Sequence, residues 1–166
     1  MYEKELTHLD STLFDTFGMH ISNAYKDEET GDYCGCNFQL GSFHIKYRKA
    51  KVTPKKIGQF VALWKRNPEG KTEPYHIDDN FDFYFVETEY QDNWGCFLFP
   101  KGILSEKRVL SVNGKEGKRG FRVYPIWDSP ENKQAISTKS WQIVYFLDLI
   151  GNRKISVETL QKLMKQ

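Results

Sequence analysis

The chain reads as an α+β domain spanning residues 1–166, with a mostly antiparallel or mixed sheet packed against helices. Three observations lead to that class. The segment NFQL-GS-FHIKYRK consists of two alternating runs joined at Gly41-Ser42, the pattern of a β-hairpin. The runs FDFYFVETE and GCFLF are almost continuously apolar, as strands central to a sheet are. Both ends of the chain instead carry apolar residues at helical spacing.

At the start, Leu6, Leu9, Leu13, Phe14 and Phe17 share one helical face, and Gly18 suits the residue that closes such a helix. A polar loop, KDEETGDY, precedes the hairpin. On the second hairpin strand Phe43, Ile45 and Tyr47 face one side, while His44, Lys46 and Arg48 form a row on the other. Thr53-Pro54 has the chemistry of a helix start, an N-cap threonine followed by proline at the first helical position. Ile57, Phe60, Val61 and Trp64 follow at i, i+3, i+4 and i+7, so a helix is predicted here, broken by Asn67-Pro68-Glu69-Gly70. Pro100 opens a short turn, and RVLSV and RGFRVYP predict strands on either side of the loop Asn113-Gly114-Lys115-Glu116-Gly117. Ile136, Ser140, Ile143, Leu147 and Ile150 form a broad stripe with Trp141, Tyr145 and Leu149, predicting a helix pressed into the core and stopped by Gly151-Asn152. A last helix is predicted from Ser156, with Ile155 and Leu160 placed as a hydrophobic staple.

A chain of 166 residues buries a core without disulfides, and its 15% aromatic content makes that core rich in rings. No run approaches 18 apolar residues, and MYEKELTHLD puts charges where a signal peptide needs an apolar stretch. A reducing cytoplasm is the expected setting, without membrane contact. Cys34-Gly35-Cys36 is too closely spaced for a zinc knuckle, and Cys96 supplies no second pair, so the cysteines read as small core residues and no metal is assigned.

Charge is sorted along the chain. From Lys46 to Arg66 there are eight cations and no acid, although the net charge is only +2. Residues 1–32 hold eight acids against Lys4 and Lys26, and residues 69–92 hold eight against Lys71. A second basic block contains Lys101, Lys107, Arg108, Lys115, Lys118, Arg119 and Arg122. Sorting of this kind produces a local positive field that attracts polyanions.

Within those blocks, Lys55 and Lys56 fall in the first turn of the expected helix, where its dipole opposes cations and its free N–H groups suit a phosphate. In GKRGFRVYPIW, Phe121 and Val123 turn inward and leave Lys118, Gly120, Arg122 and Tyr124 outward, with Gly120 opening the face between two cations. Guanidinium groups bind phosphates bidentately and rings stack on bases. The candidate nucleic-acid contacts are therefore Lys46, Arg48, Lys55, Lys56, Lys118, Arg119 and Arg122 on phosphates, with Tyr124 stacking. Lys65 and Arg66 sit at the favourable end of the expected helix and are left out.

Catalytic signatures stay at background. The metal-dependent nuclease pattern acid-x-Lys occurs at Glu69–Lys71, Glu116–Lys118 and Glu131–Lys133, and about two or three acid-x-Lys hits arise by chance. Asp82, Glu87 and Glu89 could hold a cation, but Asp82 alternates to the opposite face from the two glutamates. No nucleophile elbow or phosphate loop is present, and the four histidines are dispersed. No catalytic residue and no cofactor is assigned. The alternatives to a DNA- or RNA-binding module are a metal-dependent nuclease using Asp82, and a nucleotide or other small-anion binder in which both basic blocks close one pocket.

The runs AKVTPKKIGQFVALWKRN, FDFY, GCFLFPKGIL, GKRGFRVYPIWD and QAISTKSWQIVYF together resemble the MepB family of small bacterial proteins, over roughly residues 34–147. The resemblance implies a cytoplasmic bacterial protein with a drug- or stress-related role, the family being named from linkage to a multidrug-efflux operon. It carries over no activity. Ile126 stands where the family pattern has a second proline, and Lys139-Ser140 where it has glutamine nearer Trp141.

Overall fold

A computed structural model describes residues 2–28, 31–151 and 153–165, and the side chains of Tyr2 and of residues 153–156 stand outside that description. The expected α+β class is what it contains. Its centre is a six-stranded mixed sheet built from β1 (Ile21–Lys26), β2 (Cys36–Leu40), β3 (Phe43–Lys49), β8 (Phe83–Tyr90), β9 (Asn93–Pro100) and β11 (Phe146–Asp148) in the order β1-β2-β3-β8-β9-β11. Only β3 and β8 run parallel, with Ile45 opposite Phe83 and Lys49 opposite Glu87. The chain between them carries β4 (Lys51–Val52), β5 (Gln59–Ala62), β6 (Trp64–Arg66) and β7 (Thr72–Pro74). After β9 come helix α2 (Lys101–Glu106), β10 (Gly120–Val123) and helix α3 (Lys133–Gln142). A second sheet forms in the order β10-β5-β4.

Both faces of the central sheet are covered, which is why β8 and β9 are apolar on both sides. Phe83 and Phe85 join Ile45, Tyr47, Phe38 and Leu98 on one face. Helix α1 (Tyr2–Leu9), its continuation as a π turn (Asp10–Phe14) and helix α4 (Arg153–Met164) close that face. Leu6, Leu9, Leu13 and Phe14 are all buried there, so the first apolar stripe is as expected, and Gly18 at φ +77° ends it. On the other face Tyr84, Val86, Phe97 and Phe99 pack against Val61, Phe121 and Val123 of the second sheet, against Leu63 just after β5 and against Leu104 of α2. Cys36 and Cys96 are buried in the first core, and Cys34 packs partly against it. No helix among the described residues is long and apolar enough to cross a membrane.

Three expected elements are corrected. The helix from Thr53 is absent: residues 54–58 form a turn, and the chain then enters β5 and β6. Gly58 holds φ +89°, outside the helical region, and Val61 and Leu63 are fully buried while Phe60 and Trp64 are half-exposed. The apolar positions thus serve a period of two, and pairing with β10 and β4 overrides the helical spacing. The RVLSV strand is reduced to single bridges, His76 to Ser111 and Val112 to Lys115. The long C-terminal helix stops at Gln142, leaving Ile136 and Ile150 exposed. The chain makes one tight turn, Ile143–Tyr145, and joins the sheet edge as β11 beside β9. Gly95 makes this possible, because a Cβ there would meet the Phe146 ring at 2.3 Å. The last helix begins by Arg153, and the staple expected from Ile155 lies outside the described residues.

Candidate nucleic-acid interface

The row of cations on β3 is real but sealed. Lys46 and Arg48 are 6% and 0% exposed, because β3 is an interior strand whose second face is covered by Tyr75 and its neighbours. Both donate to one carboxylate oxygen, Asp27 Oδ2, at 2.8 Å from Lys46 Nζ and 2.6 Å from Arg48 Nη2. Lys46 also donates to Asn37 Oδ1 and lies 4.5 Å from the Tyr75 ring centre, while Arg48 Nη1 donates to the Tyr47 carbonyl. Arg48 Nε has no partner among the described atoms. The expected phosphate contacts at Lys46 and Arg48 are therefore corrected to a buried ion triad, whose anion comes from the acid-rich N-terminal region.

Burial by itself would raise the Asp27 pKa, but the Arg48 and Lys46 charges outweigh it and hold the carboxyl at about 2, against 3.8 when free. Burial and the adjacent Arg48 pull Lys46 downward. Since the Asp27 value is depressed in the fold, its stabilisation is complete above the unfolded value and is lost as pH falls from about 4 through about 2. Urea midpoints of the wild type should fall across that window, and Asp27→Asn should remove this component. A midpoint that tracked pH identically in both proteins would contradict the triad.

The other two segments do meet. The turn 54–58 and the strand β10 line one cleft of about 590 Å³, whose far wall is α3. It presents Lys55, Lys56, Lys107, Lys118 and Arg122 against a single carboxylate, Glu131. Lys55, Lys56 and Lys118 are exposed, and none of their side-chain ammonium groups has a hydrogen-bond or ion-pair partner among the described residues.

Arg122 builds this site from beneath. Its Nη2 donates to Thr53 Oγ1 at 2.7 Å and to the carbonyls of Gly58 and Lys56 at 3.0 and 3.3 Å, and its Nε to that of Ile57 at 3.2 Å. Thr53 accordingly caps no helix, and Lys55 and Lys56 are held on a turn clamped by one guanidinium. The outer edge of β10 is clamped by Gln142, fully buried, which accepts from the Tyr124 N–H and donates to the Arg122 carbonyl, both at 2.9 Å. That glutamine was missed at the level of sequence, where it looked like one more polar residue on a helix.

Three expectations change here. Tyr124 is 7% exposed and packs against Gly58, where a Cβ would come within 2.8 Å of its ring, so little of the ring is open for a base to stack on. Gly120 does not open a gap between cations; the Phe60 ring fills it, 2.5 Å from where a Cβ would stand. Arg119 points away from the cleft, donating to Thr72 and pairing with Glu116 at 3.1 Å. Trp141 of α3 lines the cleft as well, backed by Phe99 at 5.6 Å. Its signal was present, since it sits beside Gln142, but the long-helix reading placed it in the core.

Lys118 is positioned by a tight reversal. Its N–H donates to the Val109 carbonyl, and Gly117 just before it leaves no room, a Cβ meeting Val109 O at 2.3 Å and Leu110 C at 2.7 Å. Both contacts are backbone, so Gly117→Ala should destabilise the fold by about 1–3 kcal/mol or more. Thermal denaturation checks this, and an unchanged midpoint would mean that the reversal relaxes freely.

The carboxylates do not assemble. Glu87 is buried, accepting from Tyr47 Oη at 2.7 Å and Trp94 Nε1 at 3.0 Å, and burial raises its pKa. Asp82 accepts the His44 N–H. Among the described residues no three His, Cys, Asp or Glu side chains come together as metal ligands would.

Fold and cleft thus define an α+β domain with a basic, tryptophan-lined concavity. A MepB-like family model matches residues 27–148, and the chain belongs to the MepB-like family. A crystal structure of MepB is similar to it, at 32% identity and a TM-score of 0.77, covering 79% of this chain and 88% of that one. A bacterial homing endonuclease, I-Ssp6803I, aligns at 11% identity and a TM-score of 0.43 over 86% and 92% of the two chains, a likeness too slight to carry an argument. No curated protein matches.

Proposed function

We propose that the chain is a cytoplasmic, non-catalytic nucleic-acid-binding protein whose contact surface is the cleft between the turn 54–58, β10 and α3. One observation carries the reading: two basic blocks far apart in sequence converge on a single concavity, with Lys55, Lys56 and Lys118 unpaired among the described residues. Cations left unpaired on one surface, while Lys46, Arg48 and Arg119 are paired internally, suit a polyanion supplied from outside. The three free thiols suit a reducing compartment.

Amide hydrogen exchange with a saturating oligonucleotide tests the location. Protection is expected over residues 54–58, 118–124 and the first turn of α3, with none added at β3. Absence of protection at all three cleft segments would remove the proposal.

A further inference from the structure

Resting on that reading, we infer that the cleft takes unpaired nucleotides of a single strand rather than a duplex, with bases inside against Trp141 and phosphates on the lysines. Two features of the cleft lead there.

The first is its lining. Among the lysines the lining includes Ile57, which is 40% exposed, the partly buried Trp141, and Phe121 and Val109, which are 8% and 2% exposed. A duplex shows a protein its phosphates and the edges of its bases; their flat faces are stacked out of reach. Aromatic and aliphatic surface set among cations therefore matches a ligand that is anionic along its backbone and flat and apolar beside it. Unstacked bases on a charged strand have that chemistry. At about 590 Å³ the open cleft is too small to admit a double helix, which could touch only its rim.

The second is the spacing of the cations. Gly120 pairs with Ala62 and Val123 with Gln59, so Lys118 stands before one end of β10 while Lys55 and Lys56 stand at the other. The strand between those ends spans roughly 10 Å at ~3.3 Å per residue. Lysines at both ends offer contacts to successive phosphates of a strand. Lys107 lies 5.8 Å from the Trp141 ring centre, which adds a cation beside the ring.

Four ligands separate the possibilities at fixed low salt: a single-stranded oligonucleotide, its duplex, an abasic strand of equal length, and a mononucleotide. The single strand is expected to bind at least about tenfold more tightly than each of the other three. Trp141→Ala should weaken single-strand binding about tenfold and leave duplex binding unchanged, with Trp141→Phe restoring most of it. If Trp141→Ala does not fold, the abasic strand on the wild type decides the role of the bases. Equal binding of strand and duplex, or of normal and abasic strands, overturns the inference while leaving nucleic-acid binding intact. A mononucleotide as tight as the strand overturns it in favour of a nucleotide pocket. No binding of any of the four removes the proposed function itself.

Discussion

Asp27→Ala is expected to destabilise the protein by about 3–5 kcal/mol, enough to leave little native population in a domain of ordinary stability. Two cations share Asp27 Oδ2, one of them fully buried, and neither has a second carboxylate within ion-pair distance among the described residues. Removing the anion leaves both charges away from water, one with its Nε already unpartnered. Asp27→Asn keeps the shape and part of the hydrogen bonding, so its loss should be smaller. Replacing the triad as a whole, Asp27→Ala with Lys46→Met and Arg48→Met, should recover most of the stability lost by Asp27→Ala alone, because no buried charge remains. Urea denaturation of these variants closes the cycle. A loss below about 1 kcal/mol for Asp27→Ala would show that water reaches the cations.

Combined reversal of Lys55, Lys56 and Lys118 to glutamate is expected to weaken single-strand binding on the order of 10²–10³-fold at about 50 mM salt, from the counterions that three lost phosphate contacts no longer release. Stability should hardly change, since exposed substitutions away from packed features usually move it by less than about 0.5 kcal/mol. The same reversal at Arg119, which pairs with Glu116 and Thr72 outside the cleft, should have a much smaller effect on binding. Anisotropy titrations with a labelled oligonucleotide read all of these. Equal effects at Arg119 and in the cleft would mean that binding follows net charge and has no site.

The central strands, the hairpin and the first helix were legible because their patterns agree with their environment at every level: FDFYFVETE and GCFLF are apolar on both sides and are covered on both sides. The segment after Thr53 was not. Its start signal, apolar spacing and break all suit a helix, yet Gly58 sits in a left-handed conformation and Phe60 and Val61 pair across to β10. Local signals there are outweighed by a contact made some sixty residues away, at Arg122. Strand β11 was hidden for a similar reason, since Leu147 continues a helical stripe and only the gap at Gly95 shows that a strand fits beside β9.

The charge sorting pointed to segments that meet in one cleft and to only some of the side chains that line it. Lys46 and Arg48 alternate on a strand in a way that looks identical whether the face meets water or a packed layer, and Asp27, which neutralises them, lies in another block. Lys55, Lys56, Lys118 and Arg122 do converge, although by a turn and a strand rather than at a helix N-terminus. Arg122 contributes chiefly by holding the turn that carries the lysines.

The salt dependence of single-strand affinity, compared between wild type and the Lys55, Lys56, Lys118 reversal, tests the cleft most directly. With four lysines on phosphates, the slope of log K against log salt should be about −3 for the wild type and shallower by about 2 in the variant, at roughly 0.7 per phosphate. Equal slopes in the two proteins would contradict the assignment, because the strand would then be held by cations elsewhere on the molecule.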